Sequence, residues 1–154
     1  MAHEIETMMS VRLKPWHYEM TKDVTKIIQI APNSHQALVA AGLDWTVESK
    51  PIYDAHGNII KGFKANTRSS DSKVLGIVSD RYKIVQNVDA FQFTDNLIGG
   101  DVRYETAGSL MGGQKVWMLA KMPEKKIAGD DVDTYVAFTN TFDGKGSVRA
   151  IITP

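Results

Sequence analysis

The chain contains no cysteine, which excludes disulfide bonds, zinc–thiolate sites and cysteine nucleophiles. It also lacks an excess of either charge, because 18 Lys and Arg residues balance 18 Asp and Glu residues. Obligate nucleic-acid-binding proteins are usually more basic, so this neutrality leaves room only for a local basic face. No apolar run approaches the about 20 residues of a membrane-spanning helix, and the first residues have no signal-peptide core. We therefore expect no membrane partner.

The remaining composition is that of an ordinary globular protein, with 43% hydrophobic and 23% charged residues. No internal repeat or linker divides the chain, and 154 residues suffice for one domain with its own core. We expect a single α+β domain over residues 1–154, consisting mainly of a twisted antiparallel sheet with two or three short helices. Because Pro15 blocks a helix near the start, residues 1–18 are predicted to form an irregular N-terminal arm.

Three helices are predicted from hydrophobic periodicity and from residues that begin or end helices. The first covers residues 21–30. The second follows Ser34 as its N-cap and ends at Gly42. The third covers residues 88–98, with Asn87 as its N-cap, and a Gly-Gly pair ends it.

Alternating side chains and turn residues predict eight strands. A run that is apolar on both faces, KVWMLAKM, indicates a central strand. The strands that precede the helix at 88–98 form a β-β-β-α unit. The predicted strands are residues 45–53, 59–68, 74–79, 82–86, 102–110, 115–122, 134–141 and 147–153.

Motifs for catalysis and for cofactors are missing from the pattern. The four histidines are too widely spaced for a helical metal site, and no glycine-rich loop opens a helix. Ser70-x-x-Lys73 matches a bare S-x-x-K pattern, but it lies in a polar turn and its companion motifs are absent. We predict no catalytic residue, no metal, no cofactor and a non-enzymatic protein.

A basic face is the one surface that points to a ligand. Lys64 and Arg68 share a face of the strand at 59–68 because side chains alternate along a strand. If neighbouring strands pair in chain order, further cations gather on the same side, and an aromatic residue is available to stack on a base. The alternative is the ordinary solvated face of an antiparallel sheet. The predicted nucleic-acid-binding residues are Lys64, Arg68, Lys73, Arg81, Tyr82 and Lys83.

Several long blocks resemble a phage/plasmid-like family known only as domain of unknown function 932. In order they are MAHEIETMMSVR, PWH, ALVAAGLDWTVESKPIY, LGIVSDRYKIVQNVDAFQFTDNLIGG, YETAGSLMGGQKVWMLAKMP and TFDGKGSVRAIITP. The resemblance implies an origin in a phage, prophage or plasmid and residence in a bacterial cytoplasm, but no activity and no catalytic residues. Members usually carry a histidine where Phe142 stands. They also usually continue past Pro154 with a further strand and a helical half, so the chain resembles their N-terminal portion.

Three classes of function follow from this pattern. The β-β-β-α unit is similar to the core of single-strand annealing proteins, which form rings and hold single-stranded DNA along a basic groove. The leading expectation is therefore a homo-oligomer that binds single-stranded DNA during recombination. The alternative is a protein-interaction or assembly module that counters host defence, with a host protein as partner and no DNA binding. An enzyme is the third class, and a deep pocket around Asp101 or Glu105 would be its mark.

Overall fold

Two sheets, a hairpin and two helices make up the computed structural model, which describes residues 4–11, 24–29, 31–99, 102–122, 125–127, 130–132, 134–146 and 148–153. In chain order the elements are β1 Ile5–Val11, β2 Thr25–Ile28, α1 Ser34–Ala40, β3 Val47–Lys50, β4 Phe63–Arg68, β5 Val74–Ser79, α2 Asn87–Ile98, β6 Arg103–Leu110, β7 Lys115–Lys121, β8 Lys125–Ile127, β9 Asp130–Val132, β10 Tyr135–Thr141 and β11 Arg149–Thr153. The fold is α+β, as predicted.

The larger sheet has six strands in the order β11-β10-β7-β6-β1-β2, and we call it the large sheet. All its neighbours are antiparallel except β1 and β2, which are parallel. Strands β3, β4 and β5 form an antiparallel meander, the small sheet, while β8 and β9 form a separate hairpin. The small sheet followed by α2 is the predicted β-β-β-α unit. Residues of both sheets and both helices contribute to one hydrophobic cluster.

Both helices pack on one face of the large sheet, which we call its inner face. The ring of Phe91 on α2 lies 4.9 Å from that of Tyr104 on β6, and Phe93 lies 6.2 Å from Phe138 on β10. The Tyr104 hydroxyl donates to Asp95 Oδ1 at 2.7 Å, and burial raises the pKa of Tyr104. Neither helix covers the opposite face of the large sheet, which we call its outer face.

Two predictions for the start of the chain are wrong where the structure describes it. The irregular arm is wrong for residues 5–11, because β1 lies inside the large sheet between β2 and β6 and buries Met9 completely. The helix at 21–30 is wrong for residues 25–28, because β2 pairs in parallel with β1. The β-branched residues Thr25, Ile27 and Ile28 favour this extended state. Residues 1–3, 12–18, 21–23 and 30 of these two predictions lie outside the described residues.

The predicted strand at 82–86 is also wrong, because the segment makes side-chain contacts instead of a ladder. The Gln86 side chain accepts from Val47 N and donates to Val47 O, both at 2.8 Å. The Tyr82 hydroxyl donates to Thr141 O at 2.7 Å. These bonds tie the segment to β3 and to the end of β10 as an irregular connection into α2.

The helix boundaries differ from prediction by about one residue. The N-cap of α1 is Asn33, whose side chain accepts from Gln36 N at 2.9 Å while Gln36 Oε1 accepts from Asn33 N at 3.1 Å. This reciprocal capping box outcompetes a cap at Ser34, because it satisfies two backbone donors at once. The N-cap of α2 is Gln86, one residue before the predicted Asn87.

The two sheets meet at the turn between β10 and β11. Asn66 Nδ2 donates to Phe142 O at 2.8 Å, and the Phe142 ring packs at 5.8 Å against Trp45. Gly76 on β5 lies directly against the next peptide, because a Cβ there would sit 2.4 Å from the Cα of Asp143. Phe142 is fully buried in this contact.

Candidate nucleic-acid interface

The residues of β4 that were predicted to form a basic face do lie on the same side of the strand. That side is not an open surface. In the small sheet, Asn66 pairs with Gly76 and Arg68 with Val47, so the face that carries Lys64, Asn66 and Arg68 is continuous across the strands. This face packs inward: Asn66 is fully buried and Arg68 is only 8% exposed. The expectation of five cations on one open side is therefore wrong for the residues of β4.

Arg68 belongs to an ion-pair network. Its Nε and Nη2 donate to the two carboxylate oxygens of Asp71 at 3.1 and 2.8 Å, and its Nη1 contacts Glu6 Oε1. Ser109 Oγ donates to the same Glu6 oxygen at 3.1 Å, and the guanidinium carbon lies 5.3 Å from the Trp45 ring centroid. The network joins β4 to β1 and β6, so it fixes the small sheet against the large one.

The Arg68–Asp71 pair predicts a specific acid dependence. The side-chain hydrogen bonds from Arg68, together with the Lys73 N–H, lower the pKa of Asp71 from 3.8 to about 2. Because the folded pKa is depressed, the stabilisation is complete above pH 3.8 and is lost as the pH falls toward 2. We expect Asp71→Asn to have a lower urea midpoint than wild type at neutral pH. The difference between the two midpoints should shrink as the pH falls from 3.8 toward 2.

The control for this prediction is Glu48→Gln, which removes an exposed carboxylate 3.2 Å from Lys50. Exposed pairs of this kind contribute little, so its urea midpoint should follow wild type at every pH. An Asp71→Asn deficit that stays constant down to pH 2 would contradict the assignment.

Lys64 and Tyr82 are engaged with each other and with β10. Lys64 Nζ donates to the Tyr82 carbonyl oxygen at 2.7 Å, while the Tyr82 hydroxyl is held by Thr141 O. Burial, with a smaller effect of Asp143, raises the pKa of Tyr82. The half-buried Tyr82 ring is therefore a packing element at the end of β10.

The other three predicted residues are exposed but divided. Lys73 precedes β5, whereas Arg81 and Lys83 follow it. A six-residue strand spans about 20 Å, so the two groups lie at opposite ends of β5. Their contact with nucleic acid remains a prediction, but the six residues do not form a single groove.

A different surface, the outer face of the large sheet, combines cations with aromatic rings. Cross-strand partners share a face, so the strand register defines its members. One row runs across five strands through Met8, Gly108, Trp117, Thr139 and Arg149. The next row is Ser10, Thr106, Leu119, Ala137 and Ile151, and the ends add Leu110, Lys115 and Thr141 on one side and Arg103, Lys121, Tyr135 and Thr153 on the other.

The in-register positions of the outer face combine cations with neutral residues. Four of these positions are cations and none is Asp or Glu. The nearest carboxylate in sequence is Glu105, which lies in the β-bulge between Tyr104 and Thr106 at the margin. This segregation exists in a chain whose total charge is zero. The four cations are Arg103, Lys115, Lys121 and Arg149.

The Trp117 ring extends over Gly108 of the neighbouring strand β6 on the outer face. A Cβ on Gly108 would come within 2.4 Å of the Trp117 ring and 2.7 Å of Met8 Cβ, so the glycine leaves room for the indole. Trp117, Leu119 and Tyr135 are half-buried, unlike the fully buried residues that alternate with them. The rings are thus supported from below by the sheet and keep part of their surface accessible.

Sequence reasoning missed this surface although a signal was present. The alternation in β7 separates Lys115, Trp117 and Leu119 from the buried Val116 and Met118. The run was interpreted only as a central strand because both sets are apolar. The absence of carboxylates became visible only once the strand register was known.

Other kinds of site have little support among the described residues. Within them, no group of three or more His, Cys, Asp or Glu side chains is arranged to hold a metal ion. In the same part of the chain, the helices are too short or too polar to cross a membrane. Of the two carboxylates considered for an enzyme, Asp101 lies outside the described residues.

Comparison with protein families identifies the group to which the sequence belongs. The family model described as Domain of unknown function (DUF932) matches residues 74–154, which is more than half of the chain. The chain belongs to this family, as the resemblance implied. The match includes β6, β7, β10 and β11, the strands that build most of the outer face. Comparisons with curated proteins and with solved structures yield no significant match.

Proposed function

We propose that this protein is a non-enzymatic, phage-, prophage- or plasmid-encoded protein that binds single-stranded DNA on the outer face of the large sheet. The observation that supports the proposal is the combination of four cations and two aromatic rings on a face whose in-register positions carry no carboxylate. Cations attract the phosphates, and the rings of Trp117 and Tyr135 offer stacking surfaces for bases. Strand annealing in recombination is the process that such binding serves.

Single strands fit this surface better than duplexes. Bases stack on aromatic side chains only when they are unpaired and turned toward the protein. The rings lie on a sheet rather than on a protruding helix, so none of the described residues of this face is shaped to enter a groove. Four cations also suit a short stretch of backbone, in keeping with the neutral chain.

The first test is a fluorescence-anisotropy titration of labelled single-stranded and duplex oligonucleotides. With four phosphate contacts, the affinity for single strands should fall about 50-fold between about 50 and about 200 mM salt. Duplex of the same sequence should bind more weakly at both salt concentrations. The proposal would be overturned if no binding were detected at low salt, or if the affinity did not depend on salt concentration.

Stacking gives a second, salt-independent expectation. Trp117→Leu keeps an apolar side chain over Gly108 but removes the indole, so affinity for single strands should fall about tenfold. Because no charge changes, the salt dependence of the dissociation constant should stay that of wild type. Titration of both proteins at several salt concentrations checks this, with Trp45→Phe, an internal tryptophan, as control. Equal affinity of wild type and Trp117→Leu would mean that base stacking on Trp117 does not contribute to binding.

A protein-interaction module is the second candidate, and the solvent side of the small sheet favours it. Phe63, Val74 and Ile77 are about half exposed on the face opposite Asn66 and Arg68. Exposed apolar clusters of this kind often mark protein contacts. Light scattering with and without oligonucleotide distinguishes the candidates: an oligomer or host-protein complex that forms without DNA and is lost in Ile77→Glu would favour this one.

A further inference from the structure

A cavity of about 710 Å³ lies between α1 and the edge strand β2. Its walls are mainly apolar and include Ile27 and Ile28 from β2 and Val39 and Ala40 from α1. The volume falls within the about 300–1,000 Å³ that is typical of small-molecule sites. It is too small for a folded partner, so a compact ligand is the occupant to consider.

The loop that closes the cavity is held in place by hydrogen bonds. Pro32, which lines it, accepts a hydrogen bond from Tyr104 N at 3.0 Å through its carbonyl oxygen. The adjoining capping box of Asn33 and Gln36 fixes the start of α1. Leu38, on the same helix, is buried in the core, which keeps Val39 turned outward at 51% exposure. The site is therefore formed before any ligand arrives.

The polar lining residues of the cavity favour one sign of charge. Lys26, His35 and Arg103 line it, and none of its described lining residues is Asp or Glu. An apolar space with a basic rim is complementary to a molecule that has an apolar body and an anionic head. A cationic or purely polar ligand would leave one of these two features unmatched.

We propose that this cavity binds a small amphiphilic anion, such as a medium-chain carboxylate, with its chain along Ile28 and Val39 and its head at Lys26. Apart from Arg103, which lies at the margin of both, this site and the proposed DNA-binding face consist of different residues. The variants that test either proposal leave Arg103 unchanged, so the two proposals fail or succeed separately.

The test uses the whole chain with an anionic fluorescent probe, anilinonaphthalene sulfonate, and two competitors of equal chain length. Decanoate should displace the probe at a concentration about ten times lower than decanol, because only decanoate carries the head group. Lys26→Gln should abolish that preference without weakening decanol. Val39→Glu should weaken decanoate about tenfold by placing a like charge in the wall. Val88→Glu, at a similarly exposed valine on α2 outside this cavity, should leave decanoate binding unchanged.

Two results would overturn the proposal. Equal displacement by decanol and decanoate would show that no anion is recognised. Probe binding that is unaffected by Val39→Glu would show that the probe occupies another apolar surface. Because Lys26 and Val39 are exposed, both variants should retain the wild-type thermal midpoint, which circular dichroism verifies before the titrations.

Discussion

Gly76→Ala is expected to lower the free energy of unfolding by about 3 kcal/mol, at the upper end of what overpacking costs. The added methyl group would lie 2.4 Å from Asp143 Cα, 2.9 Å from Phe142 O and 3.0 Å from Asp143 C. All three atoms are backbone, so no side-chain rotation relieves the contact. The turn between β10 and β11 must move away from the small sheet, and the hydrogen bond from Asn66 Nδ2 to Phe142 O is strained with it.

Urea denaturation measures this effect, and the thermal midpoint should fall by about 10 °C for a chain of this size. Ile77→Ala is the matched control, because it changes the next residue of β5, whose side chain is about half exposed on the opposite face. It should cost less than about 1 kcal/mol. If Gly76→Ala were as stable as this control, the close approach of the two sheets would not be real.

The alternation of residues in β4 was predictable, but the direction of burial was not. The sequence separates Lys64, Asn66 and Arg68 from the neighbours on the other face, and polar residues ordinarily face solvent. Here each polar side chain makes at least one polar contact: Asn66 Nδ2 donates to the Phe142 carbonyl, Arg68 binds two carboxylates and Lys64 donates to the Tyr82 carbonyl. Apart from Asp71, which is three residues from Arg68, these partners lie 18 or more residues away and leave no local signal. Phe63, by contrast, lies on the exposed side.

The position of β1 in the sheet could not be predicted from local sequence either, because β1 pairs with a strand about 100 residues away. Met9 lies opposite Ala107 of β6, and on its other side it lies beside Lys26 of β2. Elements with strong local signals were predicted well: α2 and strands β5, β6, β7 and β10 match within a few residues. Local periodicity and caps thus identified the β-β-β-α unit, while the order of the large sheet required the fold.

The same limit explains why the candidate interface moved from the small sheet to the large one. A basic face can be inferred on one strand, but a face free of carboxylates is a property of several strands in register. Lys115 and Arg149 come from strands separated by β10 in the sheet and by more than 30 residues in the chain. Their relation depends on Trp117 and Thr139 lying opposite each other.

Reversal of two charges on the outer face, Lys115→Glu with Arg149→Glu, is expected to weaken single-stranded DNA binding by about tenfold or more at low salt. Both residues lie at in-register positions of this face, and Arg149 is exposed on the edge strand β11. Loss of two phosphate contacts should also reduce the slope of log affinity against log salt by about 1.4. Anisotropy titrations at several salt concentrations give both quantities.

The decisive comparison is with Lys50→Glu plus Lys61→Glu, which makes the same change in net charge on two exposed lysines of the small sheet and its hairpin. If the outer face is the binding surface, this control should keep nearly all the affinity, because charges beyond a Debye length of about 10 Å are screened. Equal losses in both double variants would mean that only net charge matters. A loss confined to the control would return the interface to the small sheet, where Lys73, Arg81 and Lys83 are exposed.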